Sequence, residues 1–147
     1  MQSLNGSSSN SALVATILVV DDEPDILRLT ESILSAQGYD VMTSRGADTA
    51  IKTYNRMNHK PNLVLTDVVM PGISGPMLVD RLLSVTPGLR VLFMTGYDER
   101  QIVQKYVVDR GFEMVPKPFT PIQLASAVRR ALNRPVVPPR TSGGDTV

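Results

Sequence analysis

Short apolar runs that stop at polar side chains constrain the fold of this chain more than any other feature. The clearest runs and the residues that end them are Ile17–Val20 before Asp21 and Asp22, Leu63–Thr66 before Asp67, and Val91–Met94 before Thr95. Runs of this length that are apolar on both faces are typical of strands buried on both sides of a parallel sheet. Tyr39–Thr43 and Phe112–Pro116 are weaker strand candidates.

Segments with helical spacing separate the apolar runs. Ile26, Leu29, Ile33 and Leu34 fall at i, i+3, i+7 and i+8. Other helical signals are Pro24 and Gly38 at the ends of that segment, the Met77–Val85 segment before Pro87, and Thr120–Pro121 before a last apolar face. Five strands alternating with five helices predict a doubly wound α/β sheet.

Composition at the two ends predicts the limits of the folded unit. Serine, asparagine and glycine dominate residues 1–14, and proline and glycine are frequent in residues 135–147. Such stretches bury too little apolar surface to offset their ordering entropy, so we expect a flexible leader and a flexible tail. Residues 15–134 are then one domain, as the length of 147 residues suggests.

Charge and residue counts exclude several functions. Fifteen Lys and Arg against 14 Asp and Glu leave a net charge of +1, which argues against nucleic-acid binding by this domain. The chain has no cysteine and a single histidine, His59, so zinc sites built on Cys and a thiol nucleophile are excluded. The longest apolar run, Ala12–Val20, is too short to span a membrane. We expect a cytoplasmic location without membrane binding.

The polar residues that follow the predicted strands are expected to meet at one edge of the sheet, because ligands of open α/β sheets bind beyond the carboxyl ends of the strands. They are Asp21, Asp22, Asp67, Thr95 and Lys117. Three carboxylates at one edge repel each other, and a divalent cation such as Mg²⁺ would compensate. The lysine and the hydroxyl suit a phosphoryl group, and Asp67 is a candidate nucleophile, since carboxylates form aspartyl phosphates.

Each of these residues also has an ordinary structural interpretation. A single Asp at a strand end is more often a helix cap or a solvated turn residue than a catalyst, and Thr95 suits a strand as a β-branched residue. Independent caps have no reason to gather at one edge of a sheet. The set of five therefore favours a functional site.

Four motifs follow the predicted strands in order. They are Val19–Glu23, Thr66–Gly72, Met94–Tyr97 and Pro116–Phe119. Together they resemble the receiver domain of two-component response regulators, and the resemblance covers residues 15–134. It implies a flavodoxin-like fold with strand order 2-1-3-4-5 and five helices. The runs around Asp67 and Thr95 are most similar to receivers fused to hybrid sensor histidine kinases.

The resemblance also implies a role for each site residue. Asp67 would accept a phosphoryl group from a partner's phosphohistidine, and Thr95 would be the switch hydroxyl. Lys117 would pair with the phosphate, and the Lys117–Pro118 bond is expected to be cis. The implied Mg²⁺ ligands are Asp21, Asp22, Asp67 and the backbone carbonyl of Val69.

One switch position departs from the family pattern. Members usually carry Tyr or Phe three residues before the lysine, where this chain has Met114. A thioether fills space but has no ring to reorient. Tyr97 and Tyr106, on either side of the fourth expected helix, are candidate substitutes, with packing on that helix as their alternative role.

The predicted function is phosphoacceptor in a two-component phosphorelay. The predicted partner is a sensor histidine kinase or a phosphotransfer protein, and a homodimer through the fourth-helix face is left open. The chain would not be an enzyme in its own right, although it would assist its own phosphorylation and dephosphorylation. Two alternatives remain, a pseudo-receiver that only binds partners and a haloacid-dehalogenase-type phosphatase, whose nucleophile would follow the first strand.

Overall fold

The computed structural model describes residues 14–96, 104 and 110–135. Within them, five parallel strands form one sheet in the order β2-β1-β3-β4-β5, as predicted. The strands are β1 (Thr16–Val20), β2 (Asp40–Ser44), β3 (Leu63–Asp67), β4 (Val91–Thr95) and β5 (Glu113–Pro116). Each strand overlaps a predicted one with its ends shifted by at most one residue, including the two weaker candidates, Tyr39–Thr43 for β2 and Phe112–Pro116 for β5.

Four helices lie within the described residues and connect or follow the strands. They are α1 (Pro24–Ala36), α2 (Ala47–Arg56), α3 (Gly75–Val85) and α4 (Pro121–Asn133). The helix expected between β4 and β5 falls on residues 97–109, of which only Gln104 is among the described residues. The predicted limits of the domain, residues 15 and 134, stay a prediction.

Side chains of successive strand residues enter two separate cores, one on each face of the sheet. Leu18 and Val20 of β1 join the core under α2 and α3, whereas Ile17 and Val19 join the core under α1 and α4. The three inner strands, β1, β3 and β4, must therefore be apolar on both faces, whereas the edge strands β2 and β5 are partly exposed. This requirement explains why the apolar runs are continuous rather than alternating.

Local signals set the ends of the helices that flank the site. The Thr120 side chain accepts a hydrogen bond from the Gln123 backbone N–H, and the Gln123 side chain accepts one from the Thr120 backbone N–H, so α4 begins with a capping box. Gly38 follows α1 with a φ of 94°, a conformation that favours glycine. Both ends agree with the predicted positions.

The apolar residues of α2 are few, and the sequence therefore predicts a helix before β3 without indicating its bounds. Its buried face consists of Ala47, Ala50 and Tyr54. Two small residues and one aromatic residue at i, i+3 and i+7 carry little hydrophobic signal, although the spacing is helical. The Tyr54 hydroxyl also forms a hydrogen bond with the Thr86 hydroxyl, which ties α2 to the end of α3.

Candidate functional site

The backbone of the sheet brings the polar strand ends together. Asp67 and Thr95 are the last residues of β3 and β4, and Asp21 and Lys117 directly follow β1 and β5. The Lys117 N–H donates to the Thr95 carbonyl at 2.8 Å, and the Asp21 N–H donates to the Ser44 carbonyl at 3.1 Å. These ladder bonds continue the strand pairing, so the side chains that follow the strands share one edge of the sheet.

Three carboxylates form the centre of the site. One oxygen from each of Asp21, Asp22 and Asp67 lies within 4.8 Å of the other two. Asp21 and Asp67 are buried, whereas Asp22 is partly exposed. Oxygen ligands at this spacing are a donor set that a hard divalent cation takes.

The Lys117 ammonium sits among carboxylates. Its Nζ lies 2.9 Å from Asp21 Oδ2, 3.3 Å from Glu23 Oε1 and 3.4 Å from Asp67 Oδ1. Burial alone would lower the pKa of Lys117, but the hydrogen bond and charge of Asp21, together with Asp67 and Glu23, raise the pKa above its ordinary value. The lysine is therefore charged at neutral pH. The Lys117–Pro118 peptide bond is cis, as expected.

Burial disfavours the ionised form of Asp21, the most deeply buried acid of the site. Asp21 has no exposed surface, and its burial raises the pKa of the carboxyl above the ordinary value. The Glu23 backbone N–H, which donates to Asp21 Oδ1 at 2.9 Å, and Lys117 offset this only in part. A further positive charge at the site would stabilise the ionised form of Asp21.

The Thr95 hydroxyl is buried at the same edge of the sheet. The side chain has no exposed surface, and its Oγ1 atom makes no hydrogen bond within the part of the chain that the structure describes. An unpaired buried hydroxyl costs about 1–3 kcal/mol, so its retention needs a reason. A ligand that accepts a hydrogen bond at this edge would supply one.

The residues present fit a divalent cation. Asp21, Asp22 and Asp67 carry three negative charges against the single positive charge of Lys117, and oxygen is the only ligand type they offer. Val69, which was expected to add its backbone carbonyl, lies two residues after Asp67 and has an exposed side chain.

The remaining candidates of the sequence analysis lie elsewhere. Met114 pairs in register with Phe93 and packs, partly buried, against the core under α2 and α3. Tyr97 and Tyr106 lie outside the described residues. Their switch roles, like those of the other site residues, stay predictions.

Two residues with a structural relation to the site were not singled out from the sequence. Glu23 was quoted only as part of a motif, yet its carboxylate contacts Lys117. Gly75, at the start of α3, donates its N–H to the Val68 carbonyl at 2.8 Å, next to Asp67. A glycine at the first position of a helix, where serine caps and proline follows, was the available signal for close backbone approach.

The fold and the site together indicate the class of protein to which this chain belongs. Here the strand ends of a doubly wound parallel sheet join an acidic pocket, a lysine and a buried hydroxyl, a set of side chains that could hold a divalent cation. The family model of the response regulator receiver domain matches residues 17–129. The chain belongs to this family.

Relatives of known name carry the same domain within longer proteins. The chain is 31% identical over 120 residues to sensor kinase CckA of Brucella abortus, covering 82% of this chain and 13% of the kinase. It is 35% identical over 119 residues to the DNA-binding transcriptional regulator NtrC of Azospirillum brasilense, covering 81% of this chain and 24% of the regulator. The chain thus spans less than a quarter of the length of both relatives.

Solved structures agree with the fold. A response regulator receiver domain protein from Clostridium thermocellum superposes with a TM-score of 0.76 at 29% identity, covering 82% of this chain and 96% of that one. The receiver domain of NtrX from Brucella abortus gives a TM-score of 0.74 at 31% identity, covering 81% of this chain and 99% of that one.

In the described part of the chain, no helix has the length and apolar character needed to cross a membrane.

Proposed function

We propose that Asp67 is the phosphoacceptor of this receiver domain and that its donor is the phosphohistidine of a sensor histidine kinase or phosphotransfer protein. One observation carries the proposal. The Asp67 carboxylate is a buried group that lies both in the acidic triad and 3.4 Å from the Lys117 ammonium. A nucleophile there has a cation site on one side and a fixed positive charge on the other.

Position and charge account for the chemistry. An Asp67 carboxylate oxygen attacks the phosphorus, the new P–O bond forms, and the P–N bond breaks with its electron pair going to the imidazole, which takes up a proton. Lys117 pairs with the phosphoryl oxygens, and the Thr95 hydroxyl donates to one of them. When bound by Asp21, Asp22, Asp67 and the Val69 carbonyl, Mg²⁺ would neutralise charge on the phosphoryl oxygens.

Switching follows from the new charge. A phosphoryl group adds nearly two negative charges at neutral pH. The Thr95 hydroxyl, which has no partner among the described residues, would gain one in the phosphoryl group, so the phosphorylated state is the one in which this hydroxyl is hydrogen-bonded. That difference biases the conformation at the end of β4.

Both alternatives explain less of the site. A pseudo-receiver would not need the complete set of acids, lysine and hydroxyl found here. A phosphatase nucleophile after β1 would be Asp21, but that side chain has no exposed surface, and its oxygens face the Glu23 N–H and Lys117. We therefore propose that the domain is not an enzyme that turns over a separate substrate.

We also propose that the domain acts in the cytoplasm, because histidine kinases bind their ATP there.

Phosphorylation by small donors tests the proposal. The protein is incubated with Mg²⁺ and either acetyl phosphate or phosphoramidate, whose P–N bond stands in for phosphohistidine, and its intact mass is measured. We expect one added phosphoryl group, which hydroxylamine removes as it does other acyl phosphates. Asp67→Asn should abolish the addition. Asp80→Asn is the control, because it removes an exposed acid of α3 that pairs with Arg110, and it should leave the addition unchanged. Persistent labelling of Asp67→Asn would contradict the assignment.

A further inference from the structure

The Lys117 ammonium has as many carboxylate partners as it has N–H donors. An ammonium carries three donors. Asp21, Glu23 and Asp67 each place an oxygen within 3.4 Å of Nζ, at 2.9, 3.3 and 3.4 Å. A phosphoryl oxygen that approaches Lys117 must therefore take the place of an existing partner.

The three partners differ in what their release would cost. The Asp21 side chain is buried, and a buried carboxylate that loses its partner keeps the full desolvation penalty. Asp67 is also buried, and it stays beside the lysine as the acyl group that carries the phosphoryl oxygens. The Glu23 side chain is 61% exposed, so water replaces the lysine at little cost. Glu23 is the partner that can leave.

Among the described residues, Lys117 is the only partner of the Glu23 side chain. The residue precedes α1 as its N-cap, but its side chain forms no capping hydrogen bond. Its backbone N–H is used by Asp21 Oδ1 and its carbonyl accepts from the Leu27 N–H. The backbone is thus fixed at the site while the carboxylate is free to exchange Lys117 for water.

We propose that Glu23 is a positioning residue that holds the Lys117 ammonium before phosphorylation and is displaced when the phosphoryl group arrives. Phosphorylation of Asp67 removes the negative charge of its carboxylate and places nearly two negative charges on the phosphoryl oxygens. The Lys117 ammonium is therefore attracted to those oxygens. Asp21 stays with the lysine because it is buried, and Glu23 loses its contact. Glu23 therefore competes with the phosphoryl group for Lys117. The inference rests on the proposed phosphorylation of Asp67.

Affinity for a phosphoryl mimic tests the competition. Fluoroberyllate is titrated into the protein at saturating Mg²⁺ and followed by calorimetry, and Mg²⁺ affinity is measured separately. Glu23→Gln should bind the mimic about two- to fivefold more tightly, the range expected when an ion pair with one exposed partner is removed. Mg²⁺ affinity should not increase, because the variant loses a nearby negative charge.

Two further variants separate contact from charge. Glu23→Asp keeps the charge but shortens the side chain by one methylene, so it should also bind the mimic more tightly than the parent. Asp25→Asn removes an exposed acid two residues away that pairs with Arg28 instead of Lys117, and it should match the parent. Thermal unfolding of each variant verifies that it is folded.

The outcomes distinguish the inference from the proposed function. Unchanged or weaker mimic binding by Glu23→Gln overturns the inference, as does parental affinity in Glu23→Asp or an equal gain in Asp25→Asn. If the parent itself does not bind fluoroberyllate, the proposed function fails, and the inference fails with it. Tighter binding by both Glu23 variants, with Asp25→Asn at the parental value, supports it.

Discussion

Gly75 packs its α-carbon against the backbone carbonyl of Asp67, and the two residues are too close for any side chain to fit between them. A Cβ on Gly75 would overlap the Asp67 carbonyl oxygen and would lie 3.1 Å from both the Asp67 carbonyl carbon and the Val68 Cα. Two of these three atoms, including the overlapping one, are backbone atoms of Asp67, the residue proposed to carry the phosphoryl group. The start of α3 thus sets the position of Asp67.

Gly75→Ala should therefore destabilise the protein and impair phosphorylation together. Overpacking of this kind costs about 1–3 kcal/mol, and here the strain falls on the Asp67 backbone. Urea unfolding measures the first effect and acetyl phosphate labelling measures the second. Gly46→Ala is the matched control, since a Cβ there meets nothing within 4 Å and costs only the N-cap difference, under about 1 kcal/mol. Normal labelling of a stable Gly75→Ala protein would contradict the positioning role.

Thr95→Val should affect the two states of the protein in opposite directions. The substitution keeps the shape and removes a buried hydroxyl that makes no hydrogen bond to the described part of the chain, so the unphosphorylated protein should gain about 1 kcal/mol in its free energy of unfolding. Fluoroberyllate with Mg²⁺ should stabilise the variant less than the parent, because the mimic loses a donor. Urea titrations with and without the mimic measure both effects.

Thr30 provides the control for this prediction. Its hydroxyl is also buried and makes no hydrogen bond with any residue that the structure describes, but it belongs to α1 and not to the strand ends. Thr30→Val should give a comparable gain in stability and leave mimic binding unchanged. If both valine variants bind the mimic equally well, Thr95 does not contact the phosphoryl group.

The convergence of Asp21, Asp67 and Lys117 was predictable because parallel strands present their carboxyl ends at one edge. Residue order along the chain was enough for that step, and the structure confirms the sheet. The contact between Glu23 and Lys117 was not predictable, since it joins residues 94 positions apart through the rotamers of two long side chains. The unpaired state of the Thr95 hydroxyl likewise depends on the packing around it.

Asp22 should contribute more to Mg²⁺ affinity than Asp21. Asp22 is the least buried acid of the triad, whereas the Asp21 oxygens already face the Glu23 N–H and Lys117. Asp22→Asn should weaken Mg²⁺ binding roughly tenfold or more, and Asp21→Asn should weaken it less. Calorimetry measures both affinities.

Stability without metal provides a second comparison between the two variants. Burial raises the pKa of Asp21, so its ionised form is disfavoured in the folded protein, and Asp21→Asn should stabilise the metal-free protein. The comparison is made by thermal unfolding in a chelator. Equal Mg²⁺ affinities for the parent and Asp22→Asn would count against the proposed ligand set.

Lys117 should make the metal-free protein less stable as the pH rises above about 10.5. Its carboxylate partners raise the pKa of the folded-state lysine above the ordinary 10.5. Below that pH both the folded and the unfolded chain hold the proton, and the full stabilisation is present. Above it the unfolded chain releases the proton first, so stability falls by up to about 1.4 kcal/mol per pH unit until the folded lysine also titrates.

The difference in unfolding free energy between the parent and Lys117→Met isolates this effect, because all other groups titrate in both proteins. Urea unfolding in a chelator should give a constant difference from pH 8 to about pH 10 and a shrinking one at higher pH. Lys52→Met, which removes an exposed lysine of α2, should follow the parent throughout. A difference between the parent and Lys117→Met that stays constant or grows above pH 10.5 would show that the carboxylates do not hold the charged lysine in the folded state.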